Sequence, residues 1–390
     1  MTEWKEYKLG EIADVQTGPF GSQLHMSDYQ DEGTPIITVE HLGNNRIIHN
    51  NLPLVGEKDK NRLKKYVLAE GDIVFSRVGS VDRRAYVSAN EDGWMFSGRC
   101  LRVRPTQEVD SKFLSYYFGL EDFKETIRRI AVGATMPSIN TTILSNVVIP
   151  LPPIDTQQRI ASILSSLDDK IDLLHRENKT LEAMAETLFR QWFIEEAKED
   201  WEEGTIADLV EFNPTRKLVK GTISPFLEMS NLSTSTYAPT YWYDRSYNSG
   251  TKFENGDTLL ARITPCLENG KTAYVDFLRG NQVGWGSTEF IVMRSKIGLH
   301  PFFSYIIAKH QDFRDFAESC MSGSSGRQRV DVDNLKKYPM AIPDKVTVEL
   351  FNDRIENIVS KMHNNNKQIQ TLIQQRDSLL LKLMSGEVKI

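Results

Sequence analysis

The segment ENGKT at residues 268–272 comes closest, by residue type and spacing, to a motif that could do chemistry. A loop that cradles phosphates ends in Gly-Lys-Thr, and its pattern also requires a glycine at what is position 265 in this chain. That position is Pro265, whose ring removes the backbone N–H that would face an anion. We therefore predict that the segment is a chance likeness.

Cysteines and histidines supply no alternative reactive centre. The cysteines, Cys100, Cys266 and Cys320, lie far apart and in no CxxC spacing, so neither a disulfide framework nor a zinc site is expected. The seven histidines are scattered, and the sequence contains no metalloprotease, serine-hydrolase, dinucleotide-binding or methyltransferase motif. We expect no catalytic residue, no metal and no cofactor in this chain.

Composition is that of an ordinary globular protein. With 390 residues, 40% of them hydrophobic and 26% charged, the chain is long enough for two or three domains. No apolar run approaches the roughly 18 residues of a membrane span, and the first ten residues lack the apolar stretch of a signal peptide. These features predict a cytoplasmic protein that does not engage a membrane.

The net charge of -6 does not favour a simple nucleic-acid-binding interpretation. The acidic excess lies mainly in residues 154–200, whereas residues 1–153 and 201–343 are close to neutral. Any phosphate-binding face must therefore come from local basic clusters and not from a global field.

Residues 154–197 are predicted to form one long helix around which the chain is organised. Pro152 and Pro153 precede it, and neither glycine nor proline interrupts it before Gly204. Apolar residues recur at alternating steps of four and three, the period of a coiled-coil seam. The predicted seam comprises Ile160, Leu164, Leu167, Ile171, Leu174, Asn178, Leu181 and Leu188.

Residues 198–343 repeat the pattern of residues 1–153. GDTLLAR at 256–262 matches GDIVFSR at 71–77, and FFSY at 302–305 matches FLSY at 113–116. Ordered matches with slowly drifting offsets indicate an internal duplication. Short β-branched segments separated by turn signals, followed by helical segments, predict a mixed domain in each copy.

A second helix is predicted over residues 344–390, with Gly386 marking its end. Its seam comprises Ile355, Met362, Ile369, Ile373, Leu380 and Leu383. Because one chain must return on itself, an antiparallel coiled coil is expected, with a domain at each end of the rod. Asn178 and Asn366 either fix its register or are solvated at its edge. The predicted fold class is α+β: two similar mixed domains, 1–153 and 198–343, separated by two long helices.

Several of these segments together resemble a known family. The duplicated WxxxxLGEIA opening, the GDIVFSR strand, the loop GATMPSIN at 133–140 and IPLPPIDTQQRIASILSSLDDKID at 149–172 are similar to the DNA-specificity subunit of type I restriction-modification systems. The second copy departs from the pattern, since residues 344–359 lack Pro-Pro and the Gln-Arg pair.

The resemblance implies a function for the whole chain. Each domain would be a target recognition domain that reads one half of a bipartite double-stranded DNA site. The helices would separate these domains and dock two methylation subunits, which bring S-adenosylmethionine and methylate adenine N6. Two restriction subunits would bring translocation and cleavage that depend on ATP and Mg.

Two similar but non-identical domains suit a reader of two different half-sites, because base edges require separately shaped contacts. The predicted DNA contacts in the first domain are Arg77, Arg83, Arg84, Arg128, Arg129, Thr135 and Ser138. Those in the second domain are Tyr241, Tyr243, Arg262, Lys271, Ser324, Ser325, Arg327 and Arg329. The pairs Arg77/Arg262 and Thr135/Ser325 fall at matched repeat positions. The structural alternative for each arginine is a salt-bridged surface residue.

Two other classes of function stay open at this point. A stand-alone methyltransferase or nuclease would need a cofactor or metal motif that the sequence lacks. A non-catalytic coiled-coil scaffold without DNA specificity would explain the acidic helix, but not two duplicated domains with divergent loops. Salt-sensitive duplex binding separates these classes, because phosphate contacts make affinity fall steeply with salt.

The long helix leads to a first prediction. Residues 181–188 (LEAMAETL) form a quasi-repeat of four residues, and inserting four more adds about 6 Å of rise and about 40° of rotation. Since B-DNA advances about 3.4 Å per base pair, the unread spacer should lengthen by roughly one to two base pairs with both half-sites unchanged. Comparing the methylated motifs produced by the wild type and the insertion variant measures the change in spacer length. An unchanged spacer with retained activity would contradict it.

Overall fold

The chain divides into two compact units, and both long helices contribute to each. The computed structural model describes residues 4–19, 21–324 and 326–388. Unit 1 comprises Met1–Asp169 with Leu372–Ile390, and unit 2 comprises Lys170–Thr371. Each unit therefore combines one repeated region with a stretch of each helix.

Unit 1 contains ten strands and five short α-helices in its described residues. The strands are β1 (Lys5–Lys8), β2 (Ala13–Thr17), β3 (Tyr29–Gln30), β4 (Thr34–Ile37), β5 (Leu54–Val55), β6 (Ile73–Ser76), β7 (Arg84–Tyr86), β8 (Met95–Phe96), β9 (Cys100–Pro105) and β10 (Val148–Leu151). The helices are α1 (Leu9–Ile12), α2 (Glu57–Arg62), α3 (Ser111–Tyr117), α4 (Glu121–Ile130) and α5 (Thr141–Ser145).

The first long helix, α6, runs over Ile154–Arg190 and continues as a π-helical turn over Gln191–Glu195. Unit 2 then contributes β11 (Glu202–Thr205), β12 (Val210–Phe212), β13 (Ile223–Leu227), β14 (Tyr243–Ser246), β15 (Thr251–Phe253), β16 (Asp257–Ala261), β17 (Thr272–Tyr274), β18 (Gly284–Gly286), β19 (Phe290–Ser295), β20 (Met321–Ser322), β21 (Arg329–Val330) and β22 (Pro339–Ile342). Its short helices are α7 (Ile206–Leu209), α8 (Phe303–Lys309), α9 (Gln311–Ser319) and α10 (Val332–Leu335). The second long helix, α11, spans Lys345–Met384, and Gly386 follows with a φ of 70°.

The internal duplication is visible in the strand order. A four-stranded antiparallel sheet has the order β2-β9-β6-β7 in unit 1 and β12-β19-β16-β17 in unit 2. Each unit also contains one parallel strand pair, β4 with β8 and β13 with β18. The strands on either side of that parallel pair differ between the units, so the copies diverge at the edges of the second sheet.

The central strand of the antiparallel sheet is buried on both faces, which explains its continuous apolar sequence. In β6, Ile73 and Phe75 join one hydrophobic core, and Val74 joins another. In β16, Leu260 joins one hydrophobic core of unit 2 and Leu259 joins another. Because successive side chains of a strand point to opposite faces, each domain builds its two cores on the two sides of one sheet.

The two long helices begin with different devices. At the start of α6, Gln157 is buried, its Nε2 donates to the Pro152 carbonyl at 2.8 Å, and its Oε1 accepts from the Asp110 N–H at 3.0 Å. At the start of α11, Asp344 accepts from the Thr347 N–H at 2.9 Å and from the Trp201 indole at 3.1 Å. Asp344 therefore caps the first turn of α11 with its side chain, in a copy that lacks the Pro-Pro and Gln-Arg residues of the first.

Within unit 2 the two long helices run antiparallel. Glu177 pairs with Lys361 at 3.2 Å, and Trp192, further along α6, packs its ring 6.3 Å from that of Phe351, which lies earlier on α11. The buried amide of Asn365 donates to Asn178 at 2.9 Å. Asn178 therefore makes its register contact with Asn365 and not with the predicted Asn366. A seam with a period of 3.5 residues does not distinguish these two adjacent positions.

The predicted seam is buried over most of its length. Ile160, Leu164, Ile171, Leu174 and Asn178 on α6 are buried, as are Ile355, Met362, Ile369 and Leu383 on α11, whereas Leu167, Ile373 and Leu380 are half-buried. Beyond Asn178 the sequence-based seam departs from the structure. Leu181 and Leu188 are half-buried, whereas the neighbouring Glu182 and Phe189 are buried, because this part of α6 also packs against the core of unit 2.

A tyrosine in each unit anchors the domain to α6. The hydroxyl of Tyr116 donates to Asp168 at 2.6 Å in unit 1, and Asp168 also receives Arg376 of α11 at 2.8 Å. The hydroxyl of Tyr305 donates to Glu182 at 2.5 Å in unit 2. These tyrosines are the last residues of the matched FLSY and FFSY segments, so the duplication preserves the anchor itself.

The buried carboxyl of Glu182 leads to a pH prediction. Desolvation by burial raises the pKa of Glu182 above 4.5, although the hydroxyl of Tyr305 opposes the shift. Its contribution to stability is therefore complete below pH 4.5 and is lost as pH rises through the raised pKa. Glu182→Gln keeps an acceptor for Tyr305 without a charge, so its melting temperature should exceed that of wild type most at high pH.

Circular dichroism melting across a pH series measures this difference. Glu182→Leu is the control: it removes the same carboxyl but leaves the Tyr305 hydroxyl unpaired, so it should be less stable than Glu182→Gln by about 1–3 kcal/mol at every pH. A Glu182→Gln difference that stayed constant with pH would contradict the prediction.

Candidate nucleic-acid interface

Two of the predicted DNA-contacting segments in unit 1 are joined by backbone hydrogen bonds. The Gly79 N–H donates to the Pro137 carbonyl at 2.8 Å, and the Ile139 N–H donates to the Arg77 carbonyl at 2.9 Å. The Arg77 N–H in turn donates to the Arg99 carbonyl at 2.8 Å. We call residues 77–83, 99 and 132–139 loop surface 1.

Unit 2 repeats this arrangement bond for bond. The Thr264 N–H donates to the Gln328 carbonyl at 3.1 Å, and the Val330 N–H donates to the Arg262 carbonyl at 2.9 Å. The Arg262 N–H donates to the Glu289 carbonyl at 3.0 Å. We call the described residues among 262–271, 289 and 321–330 loop surface 2.

The shared bonds define which positions correspond. Arg77 corresponds to Arg262, as the sequence predicts, while position 99 corresponds to 289 and Ser138 corresponds to Arg329. The other predicted match, Thr135 with Ser325, is not described, because Ser325 lies outside the described residues.

A glycine with positive φ occurs at the same place in both loops. Gly133 has a φ of 113°, and a Cβ there would lie 2.6 Å from the Met136 carbonyl oxygen. Gly323 has a φ of 126°. Glycine is required at these positions because L side chains rarely adopt this backbone conformation.

Arg84 does not belong to the surface, which corrects its prediction as a DNA contact. Its side chain is buried, and its Nε donates to the Ser115 carbonyl at 3.0 Å. Burial lowers the pKa of Arg84 to about 10. The residue begins β7 and points inward toward α3, where a duplex cannot reach it.

The other arginines in or near loop surface 1 differ in the hydrogen-bond and ion-pair partners of their side chains. Arg77 donates to the Gly98 carbonyl at 3.1 Å, and Arg83 donates to the Leu42 carbonyl. Arg128 is exposed but bonds both Asp82 and Glu121, each at 2.5 Å.

Arg129 is exposed and makes no ion pair or side-chain hydrogen bond with any residue that the structure describes. In the adjoining loop, Thr135 is exposed, and the Ser138 hydroxyl donates to the Val132 carbonyl at 3.1 Å. Arg129 and Thr135 are therefore the predicted contacts in unit 1 that are most available to an incoming ligand.

Loop surface 2 is more strongly paired. Arg329 donates to the Glu289 carboxylate through Nε at 3.0 Å and through Nη2 at 2.7 Å. The Arg262 guanidinium donates to the Val330 carbonyl at 3.3 Å, and the Lys271 ammonium donates to a backbone carbonyl at 3.0 Å. Ser324 and Arg327 are exposed.

The two predicted tyrosines lie elsewhere in unit 2, beside the start of β14. Tyr241 is exposed, and its ring stacks on that of Tyr243 with centroids 6.0 Å apart. The Tyr243 hydroxyl donates to Glu228 at 2.8 Å, and this bond raises its pKa. The stacked pair presents an aromatic face that suits a base or sugar contact.

Sequence reasoning missed Arg99 and Glu289. Arg99 is exposed and has no side-chain partner among the described residues, and Glu289 holds Arg329. Each immediately precedes the strand that pairs with the GDIVFSR or GDTLLAR segment. Aligning CLRVRP at 100–105 with FIVMRS at 290–295 would have found both.

No metal or membrane site emerges from the described residues. They contain no group of three or more His, Cys, Asp or Glu side chains arranged to hold a metal ion. Cys100 is a buried free thiol, and burial raises its pKa to about 12. Within these residues, no helix is both long enough and apolar enough to span a membrane.

A family model of the type I restriction modification DNA specificity domain matches residues 1–183 and 198–375. The chain belongs to the type I restriction-modification DNA specificity family. It is 23% identical over 429 residues to the type I restriction enzyme MjaIX specificity subunit of Methanocaldococcus jannaschii, covering 100% of this chain and 94% of that protein.

Other comparisons agree with this family. The type I restriction enzyme HindI specificity subunit of Haemophilus influenzae is 28% identical over 199 residues, which cover 50% of this chain and 42% of that protein. The crystal structure of a type I restriction-modification S subunit from M. genitalium superposes with a TM-score of 0.58 at 16% identity, covering 98% of this chain and 96% of that one, and so shares the fold. The chain is therefore a specificity subunit, and its function is recognition of DNA sequence.

Two arginines of the specificity subunit should respond differently to substitution. Arg84→Met should destabilise unit 1 by about 1–3 kcal/mol, because the Ser115 carbonyl loses its buried donor. Arg129→Ala should leave the melting temperature unchanged and weaken duplex binding, lowering the salt slope by about 0.9 if it contacts one phosphate. Denaturant unfolding and duplex titration at several salt concentrations measure both effects. The assignment would be wrong if Arg84→Met weakened binding with unchanged stability.

Proposed function

We propose that the specificity subunit reads a bipartite double-stranded DNA site, with loop surface 1 in contact with one half-site and loop surface 2 with the other. The observation that carries this proposal is the shared set of backbone hydrogen bonds beneath different side chains. Arg77 and Arg262 occupy the same place in both loop surfaces, whereas the flanking positions carry Arg99 and Ser138 in one and Glu289 and Arg329 in the other. Base edges differ in their donors and acceptors, so different side chains on one backbone read different sequences.

Local charge supports DNA contact despite the acidic chain. Loop surface 1 contains Arg77, Arg83 and Arg99 with Asp82 as its acidic residue, and Asp82 is bonded to Arg128. Much of the acidic excess lies in 154–200, outside both loop surfaces. A phosphate backbone would therefore meet a locally basic face, and binding would weaken with salt.

The partners we propose are two methylation subunits and two restriction subunits. The methylation subunits would bring S-adenosylmethionine and methylate adenine N6, and the restriction subunits would use ATP and Mg. The specificity subunit would supply no reacting group and would position these partners on the DNA. Its relatives support a partnered role, since each is named as the specificity subunit of a type I restriction enzyme.

Exposed apolar residues on the long helices support docking of the methylation subunits there. On α6, Leu173 and Met184 are exposed and lie eleven residues apart, which places them on the same face of the helix. On the first two turns of α11, Val346 and Leu350 are exposed and one turn apart. Apolar side chains exposed on one face of a helix in this way fit a helical partner.

Domain replacement tests the bipartite reading. Replacing residues 201–343 with the corresponding domain of another family member should change one half-site and leave the other intact, because each loop surface is built within its own unit. The matched control replaces residues 1–153 and should change the opposite half-site. Sequencing the methylated motifs of a host that expresses each chimera with the methylation subunit gives the result. A chimera in which both half-sites changed would show that the domains do not read independently.

A further inference from the structure

The Arg329–Glu289 pair occupies positions that are not paired in the other copy. In loop surface 1 the corresponding residues are Ser138 and Arg99, and Arg99 is exposed without a side-chain partner among the described residues. The backbone beneath the two sites is the same. The pair is therefore a feature of unit 2 that the shared fold does not require.

The geometry of the pair leaves one edge of the guanidinium open. Arg329 uses Nε and Nη2 on the Glu289 carboxylate, at 3.0 Å and 2.7 Å. A guanidinium carries five N–H donors in a fixed plane, so both N–H groups of Nη1 and one of Nη2 remain. The described residues supply no partner for Nη1, and the side chain of Arg329 is 45% exposed.

We infer that Arg329 reads a guanine in the half-site of unit 2 through its Nη1–Nη2 edge and that Glu289 is the residue that positions it. Two parallel N–H donors match the O6 and N7 acceptors that guanine presents in the major groove. The carboxylate fixes the plane of the guanidinium, so less side-chain entropy is lost when the base is bound.

Charge favours a base over a phosphate as the ligand of this pair. The bonds from Arg329 lower the pKa of Glu289, so the carboxylate is ionised at neutral pH and the pair is close to neutral overall. A carboxylate next to the guanidinium repels phosphate oxygens but does not oppose an uncharged base edge. At the corresponding place in unit 1, Arg99 has no such carboxylate and fits a phosphate at least as well.

This inference rests on the proposed bipartite function, and one set of variants tests it. Arg329→Lys, Glu289→Gln and the control Lys336→Ala are each expressed with the methylation subunit, and the methylated motif of the host genome is sequenced. Lys336 belongs to the same unit but is not a residue of loop surface 2, and its side chain is 41% exposed and pairs with Asp333 at 2.9 Å. Thermal melting of each purified chain verifies folding.

The wild type should methylate a motif with a guanine at one position of one half-site. Arg329→Lys should relax that position by roughly 5- to 150-fold in selectivity, because a point-like ammonium loses the bidentate geometry. Glu289→Gln should relax the same position less, since the Gln carbonyl still accepts from Arg329. The other half-site and the Lys336→Ala motif should stay unchanged.

A merely structural or phosphate-binding role predicts a different result. In that case Arg329→Lys would lower methylation at all sites alike, with the preference among bases unchanged, and the inference would be overturned. Equal selectivity of wild type and Arg329→Lys would overturn it as well. If the wild type produced no bipartite motif at all, the proposed function would fail, and this inference would fail with it.

Discussion

The structure depends on a hydroxyl–carboxylate hydrogen bond that is repeated in both units. Tyr116 donates to Asp168 and Tyr305 donates to Glu182, and both acceptors lie on α6. Glu182 is buried and Asp168 is half-buried, and a carboxyl withdrawn from water is costly unless it is hydrogen-bonded, so each bond restricts how its domain can meet the helix. A domain that reads DNA must be held in a fixed orientation on its support, and these tyrosines provide that constraint within each unit.

The duplicated loops separate the scaffold from the specificity. The hydrogen bonds that recur within each loop surface run through backbone N–H and carbonyl groups, which every residue except proline supplies in full. Side chains at 99 and 138, or at 289 and 329, are therefore free to change without loss of the loop geometry. This explains how two copies of one domain retain the same strand order in the antiparallel sheet and still carry different charges at corresponding positions.

The electrostatics of the chain are local. Its net charge is -6, yet Arg129 and Arg99 are exposed without side-chain partners among the described residues, while Arg128 and Arg329 are already paired with carboxylates. A carboxylate partner reduces the attraction of an arginine for phosphate, whereas an unpaired arginine is free to contact the phosphate backbone. The distribution of partners, more than the number of basic residues, distinguishes the two loop surfaces.

The sequence by itself determined the two long helices, the duplication and the family, because these features are periodic or recur in order along the chain. Seam spacing predicted α6 and α11, and repeated segments such as GDIVFSR and GDTLLAR predicted two similar domains. Tertiary structure decided which residues face one another. It buried Arg84, placed Asn365 instead of Asn366 against Asn178, and brought Glu289 to Arg329 across 40 positions of sequence. Such pairings depend on the register of neighbouring strands and on which face of its helix or strand each side chain occupies. A shift of one residue in register moves a side chain to the opposite face, although the pattern in the sequence stays the same.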